Sequence, residues 1–389
     1  MTISIRGQAA IVGIGETPYY KRGTSPDPEL KLCVRAIVAA CDDAGISPRD
    51  VDGFVSYGSE RNAGQWLFPA LGTRELRFGA LNWTHGGGIP GAVGLAAMAV
   101  ATGQAECVAV YRAMAELSNM RLRVAVSQND TAAQYLVNGL DGPAQLCALR
   151  SQRMLEADGV PRSAMEAMVL ASYHHARNNP HAYGRATEID PELYAESRWV
   201  SEPYHVFDCS RENDAAFCVL VVSAERAKDF ADRPAYVLSA PTGIDRAWGG
   251  AVEENHSPYS SSGFRAVAKR LWNESGYAPS DVDVTQVYEN MCGMGIAAVI
   301  DHGFCTAEEA GEFFTFDRLI APSGAFPVNT SGGNLAEGFI HGMSLVNEAV
   351  RQIRGESPNQ VPDAKLSLMT GGPGDVVVSS ALFGAEETL

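Results

Sequence analysis

The densest gathering of residues able to hold a small polar group lies in Val328–Met343, VNTSGGNLAEGFIHGM. It contains Asn329, the pair Gly332-Gly333 and two further glycines within an otherwise helix-compatible run. Glycines this dense bring the backbone close to a ligand, and a helix starting directly after them presents N–H groups to an anion or a polarised carbonyl oxygen. The same pair equally serves a strand-to-helix turn that needs positive φ, and spacing alone leaves both readings open.

Other reactive side chains form no comparable pattern. His174, His175, His181 and His205 lie near one another in sequence but match no zinc spacing, so they are expected to be surface or hydrogen-bonded histidines. The eight cysteines are scattered without a CxxC pair, which predicts reduced thiols in a cytoplasm and no disulfide framework. The opening strand ends in GIGET, but the GxGxxG spacing is incomplete and no acidic ribose partner follows, so a dinucleotide site is excluded.

A formal charge of −16 argues against nucleic acid or an anionic membrane as partner, because the field repels phosphate. An anionic substrate then needs a local basic patch, for which Arg112, Arg121 and Arg123 are the candidates. No apolar stretch is long enough to span a membrane.

These residues need a scaffold, and the chain writes one twice. Lys31–Ala44 has apolar residues at helical spacing and stops at Gly45, after which SPRDVDGFVSYG reads as a turn and a strand. Phe264–Gly276 followed by APSDVDVTQVYEN repeats this grammar. Gly45, Pro48, Asp50, Val51 and Asp52 correspond to Gly276, Pro279, Asp281, Val282 and Asp283, each displaced by 231 positions. A second echo links the glycine run, small-residue helix and strand after Thr84 with the segment from Thr330 to the strand near Lys365–Met369. Two related α/β halves are predicted, 1–230 and 231–389, the first carrying a polar loop region at about 114–202.

The opening IVGIGETPY, the DVD units, GGGIPGAVGLAAMAVATGQAECV, SEPYHVFDCSRENDAA, VYENM, VNTSGGNLAEGFIHGM and TGGPGDVVVSSALF together resemble the thiolase superfamily, in its lipid-transfer-protein or sterol-carrier-protein-x branch. The resemblance covers nearly the whole chain. It implies an α/β thiolase-like fold of two βαβαβαββ halves in αβαβα layers, with sheets around buried central helices, and a homodimer.

The chain departs from true thiolases where they do chemistry. The place of the activated cysteine is Gly86–Gly88, the histidine of the family's HDCF-like motif falls at Tyr288, a second histidine falls at Phe339, and the final Cys-x-Gly motif falls in MTGGPG. Acyl transfer requires a nucleophile with an activating base, and both are missing at these positions. Cys107 and Cys292, the nearest thiols in sequence, read as buried strand or helix residues.

Steroid side-chain aldolases of the same branch share this pattern, and the similarity implies retro-aldol cleavage of a β-hydroxyacyl-CoA with a small OB-fold partner in a heterotetramer. CoA belongs to the substrate and no cofactor is implied. In that reading Tyr288 is the base or relay, and backbone N–H groups of Gly86, Gly87, Gly88, Gly371 and Gly372 hold the enolate oxygen. Asn290, Asn329 and His341 are polar helpers. Those aldolases tend to have a second tyrosine at the Phe339 position and a histidine at the Ser331 position, so only one phenol remains here. A thiolase-type acyltransferase using another cysteine, and a non-catalytic acyl-CoA-binding subunit, are the alternatives.

Overall fold

Two aspartates 231 positions apart do the same work. The Asp52 carboxylate accepts the backbone N–H groups of Glu106 at 3.0 Å and Cys107 at 2.9 Å, and that of Asp283 accepts those of Lys365 and Leu366, both at 2.8 Å. Each aspartate stands just before one strand and pins the start of its parallel neighbour beside it, which is why the motif recurs. The computed structural model describes residues 4–84, 86–115, 130–246, 248, 257–374 and 377–389.

The first repeat runs β1 (Ala9–Glu16), α1 (Glu29–Ala44), β2 (Gly53–Tyr57), α2 (Gly64–Leu71), β3 (Phe78–Asn82), α3 (Ile89–Ala101) and β4 (Cys107–Met114). An excursion containing α4 (Pro143–Ala157) and α5 (Arg162–Asn178) follows, and β5 (Asn213–Ser223) closes the repeat. The second runs β6 (Ala235–Ser239), α6 (Arg265–Ser275), β7 (Val284–Gln286), α7 (Cys292–Asp301), α8 (Met343–Arg354), β8 (Leu366–Gly371) and β9 (Val378–Gly384). Gly45 and Gly276 end α1 and α6 in the left-handed conformation, at φ 65° and 77°, as a helix-stopping glycine does.

The strands lie in the order β7-β8-β9-β6-β1-β5-β4-β2-β3. In the first repeat β2 runs parallel to β3 and β4, while β5 is antiparallel to β1 and β4. In the second, β7 is parallel to β8 and β9 is antiparallel to β6 and β8. The place of β3 is taken in the second repeat by a single parallel bridge, Thr285 to Val328. The two sets of strands join through β1 and β6 into one continuous sheet.

Alternation along the strands divides the core into layers. Val55, Val108, Val110, Val219, Met369 and Phe383 face a central cluster that contains the buried helices α3 and α8. Ala10, Val12, Phe54, Ala109 and Leu220 face α1, and Leu238, Leu368 and Leu382 face Leu271 of α6. This is the expected thiolase-like layering.

One element differs from its sequence reading. Gly332-Gly333 start only the four-residue helix Gly333–Ala336, and Gly338 at φ 155° ends that run. The long central helix begins at Met343, after Gly342 at φ 79°. Gly342 is therefore the counterpart of Gly88 at the head of α3, and successive glycines at positive φ are what keep the helix from starting earlier.

Candidate active site

Tyr288 leaves the end of β7 with its backbone fixed on both sides. Its N–H donates to Thr370 Oγ1 at 3.1 Å, and the N–H of Val287 donates to Asn329 Oδ1 at 2.7 Å. The ring is buried, edge-on to Phe339 with centroids 6.0 Å apart, and Phe339 in turn stands 5.0 Å from the His341 ring. Space for the phenol exists because its neighbours are glycines. A Cβ on Gly342 would lie 2.5 Å from the Tyr288 ring, and one on Gly86 would lie 2.7 Å from its hydroxyl.

Tyr288, Phe339, His341, Asn290, Gly86 and Gly372 line one cavity of about 770 Å³. The structure thus brings residues from the heads of both central helices and the loop after β8 to one place. Gly372 touches the Gly86–Gly88 turn so closely that a Cβ there would lie 2.0 Å from Gly87 Cα.

Six sequence candidates lie behind this wall. Gly87 and Gly88 pack against Val377 O and the Tyr57 side chain, and Gly371 is paired with Ser379 across the sheet and packs on Pro90, so close approach of chain to chain explains these glycines. Asn329, at φ 51°, is a buried brace for Val287 and not a cavity residue. Gly332 donates its N–H to Asn329 O at 2.8 Å and packs on Ala176. Gly333 faces Glu289, where a Cβ would lie 2.0 Å from Oε1.

The glycine turn does hold an acidic group, but it is the chain's own. Glu289 accepts the N–H of Leu335 at 3.3 Å and Asn334 Nδ2 at 3.2 Å. Burial pushes its carboxyl up to about 8, against the lowering pull of these donors. Asn290, the next residue, lines the cavity while its Oδ1 accepts the N–H of Met291 at 3.1 Å at the start of α7.

His341 sits at φ 49°, and its Nδ1 is hydrogen-bonded to the phenol of Tyr57. Tyr57 is fully buried and carries the Arg112 guanidinium over its ring, 5.2 Å from the centroid. Arg112 is itself buried, bonded to Ser59 O at 2.9 Å and to the Glu60 carboxylate at 3.2 Å. It is therefore not a basic reserve for substrate; Arg121 and Arg123 fall outside the described residues. Tyr57 was not among the sequence candidates, yet the 231-position repeat, continued five residues past Asp52 and Asp283, pairs Tyr57 with Tyr288.

The basic groups at the cavity come from elsewhere. Lys21, Arg22, Arg198 and Arg211 line it, with Glu212 as a carboxylate in ion contact with Arg22. Arg150 is buried deeper, 4.4 Å from the Trp248 ring centroid and bonded to Ser261 O at 2.7 Å.

Cys147 and Cys209 also line the cavity, which the sequence did not indicate. Burial pushes the Cys209 thiol up to about 12, with Asp208 adding to the shift, so it is protonated and a poor nucleophile. Cys107 and Cys292 are buried in a strand and a helix, and burial raises both. His175 accepts the Ala321 N–H at 2.8 Å and is lowered to about 3 by burial. Among the described residues no group of three or more His, Cys, Asp and Glu side chains could hold a metal.

The mixed sheet, the two buried glycine-led helices and the cavity between their heads define the thiolase-like fold. The family described as "Thiolase C-terminal domain-like" matches residues 246–382. Human mitochondrial 3-ketoacyl-CoA thiolase superposes with a TM-score of 0.70 at 13% identity, over 99% of this chain and 100% of that one, a likeness of fold.

Closer relatives narrow the class. The chain is 36% identical to 17-hydroxy-3-oxo-4-pregnene-20-carboxyl-CoA lyase of Mycobacterium tuberculosis, over 98% of this chain and 100% of the relative. It is 35% identical to the steroid side-chain-cleaving aldolase of Thermomonospora curvata, over 98% of each. A solved Ltp2-ChsH2(DUF35) aldolase matches with a TM-score of 0.92 at 35% identity, covering 100% of both chains. The chain belongs to the steroid side-chain-cleaving aldolase family, within the thiolase-like branch.

Proposed function

We propose that this protein cleaves a β-hydroxyacyl-CoA, its hydroxyl-bearing carbon part of a steroid, into a ketone and a short acyl-CoA. The observation that carries this reading is the Tyr288 hydroxyl at Gly86, a phenol where an acyl-transfer enzyme of this fold would need a thiol. Tyr288, acting as the phenolate, takes the proton of the substrate hydroxyl and later returns it to the enolate carbon. The carbon–carbon bond then breaks, leaving a ketone, and its electron pair passes into the thioester as an enolate. His341 and the backbone at Gly86 and Gly372 supply donors for the enolate oxygen, and protonation of the enolate carbon releases the acyl-CoA. Water and cofactor are not consumed, since CoA is part of the substrate.

The basic residues Lys21, Arg22, Arg198 and Arg211 fit the phosphates of CoA, giving a strongly acidic protein a local attraction for an anion. The quaternary reading is a homodimer core carrying two small OB-fold subunits. Support for the first part is the sheet edge at β3, where Leu81 is 54% and Trp83 is 83% exposed, beside exposed Trp66 and Met98. Support for the second is the likeness to an aldolase solved with ChsH2(DUF35). The eight cysteines are thiols, in keeping with a reducing cytoplasm.

The test is product analysis by mass spectrometry, with the protein co-expressed with a small OB-fold partner and given a 17-hydroxy steroid C22-CoA. The expected products are the 17-ketone and propionyl-CoA, formed without added CoA and unaffected by iodoacetamide. Chain shortening only of a 3-ketoacyl-CoA, dependent on free CoA and abolished by alkylation, would make the protein an acyltransferase acting through Cys147 or Cys209. Binding without turnover of either substrate would make it a non-catalytic subunit.

A further inference from the structure

We propose that Tyr57 is a positioning residue that fixes His341 as the tautomer carrying its proton on Nε2, so that the imidazole acts as a hydrogen-bond donor and not as a base. The inference rests on reading the cavity as the retro-aldol site. Its first support is geometric. His341 lines the cavity and Tyr57 does not, so the ring edge that meets the phenol is the one turned away from substrate. The hydrogen bond at one imidazole nitrogen decides which nitrogen holds the proton. Whether Nδ1 accepts or donates therefore determines what the ring can do at Nε2.

The surroundings of Tyr57 decide that question. The Arg112 guanidinium over the ring draws electron density toward itself and so polarises the phenol O–H as a donor. Arg112 is held there by Glu60, whose side chain is fully buried, and by Ser59 O, so the cation cannot swing away. A phenol polarised in this way gives its hydrogen bond to Nδ1, and the ring proton stays on Nε2. The backbone commits the same arrangement. His341 is held at φ 49°, a conformation that L residues keep only where the surroundings enforce it. Gly88 is bare because a Cβ there would lie 2.3 Å from Tyr57 Cβ.

The repeat gives the arrangement its logic. Tyr57 and Tyr288 stand at equivalent positions 231 residues apart, Tyr57 as the last residue of the strand that follows its DVD unit and Tyr288 two residues past the end of its own. One tyrosine faces the cavity, and the other reaches it through His341. With Phe339 unable to exchange a proton, an Nε2–H donor supplies the second proton-bearing group for the enolate oxygen while Tyr288 remains the base.

The test uses the complex labelled with 15N-histidine, without substrate, the His341 signals being identified by their loss in His341→Gln. The wild type is expected to show protonated Nε2 and unprotonated Nδ1, and Tyr57→Phe a mixture of tautomers with thermal stability close to wild type. In the same variant kcat for cleavage falls about 10²-fold while KM moves less than about twofold. An Nδ1–H tautomer in the wild type, or an unchanged pattern in Tyr57→Phe, would overturn the assignment. The wild-type spectrum decides even if the variant fails to fold. Because the spectra need no turnover, a correct tautomer in a protein that cleaves no steroid thioester counts against the aldolase reading and not against this one.

Discussion

A Cβ on Gly86 would lie 2.7 Å from the Tyr288 hydroxyl and 3.4 Å from its Cζ, so a side chain at 86 and a tyrosine at 288 exclude one another. Gly86→Ala should push the phenol out of line while leaving the fold intact, since Gly86 opens a helical turn, Gly86–Gly88, and its Cβ would meet only the Tyr288 side chain. A displacement of about 1 Å at the reacting group costs about 10²-fold in rate. That loss in kcat, measured with melting temperature within a few degrees of wild type, is the expected result.

Glu289 provides a pH signature independent of turnover. Its buried carboxyl stays protonated up to about 8, whereas in the unfolded chain it ionises near the ordinary carboxylate value. The native state therefore holds a proton that the unfolded state has lost, and this group's contribution to stability falls as pH rises from roughly 4.5 to 8. The slope is at most about 1.4 kcal/mol per pH unit. Glu289→Gln, which imitates the neutral acid, should gain stability relative to wild type across that window, as denaturant titrations at both ends would show.

The exposed edge of β3 leads to a prediction about assembly. Leu81→Glu places a charge in the proposed dimer face and leaves the core untouched. Light scattering should report half the wild-type mass for the variant. A wild-type protein that already runs as a monomer would refute the dimer.

The basic rim predicts a change in binding without a change in chemistry. Lys21 and Arg198 line the cavity from its exposed side. Lys21→Ala and Arg198→Ala should each raise KM for the CoA thioester by about tenfold, the value of one charge-assisted contact, and leave kcat nearly unchanged. The wild-type KM should rise with salt more steeply than that of either variant.

Much of this was legible before any coordinates. Helix stops at Gly45 and Gly276 and the shared aspartates Asp52 and Asp283 betray the duplication, because strand-start hydrogen bonds need the same residue types at the same spacing. Tyr288 and Phe339 could be chosen as site residues because they fall on the family's motif positions, and His341 as a polar residue two positions beyond Phe339. At Gly332-Gly333 the sequence leaves a ligand site and a turn both open, because dense glycines look alike whether they face a ligand or an internal carboxyl such as Glu289. The cationic rim was not legible, since its residues come from segments near Lys21 and Arg198 that only the excursion before β5 brings together. The Tyr57–His341 contact spans 284 positions, and only the internal repeat points to it.

The most direct test of the account is Tyr288→Phe, compared with wild type in the same partner complex on the same steroid thioester. The variant keeps the ring that packs against Phe339 and loses only the hydroxyl. The account predicts unchanged folding and substrate binding, with release of ketone and short acyl-CoA reduced by at least about 10²-fold. Cleavage at the wild-type rate would show that the proton leaves by another route and would contradict the role assigned to Tyr288.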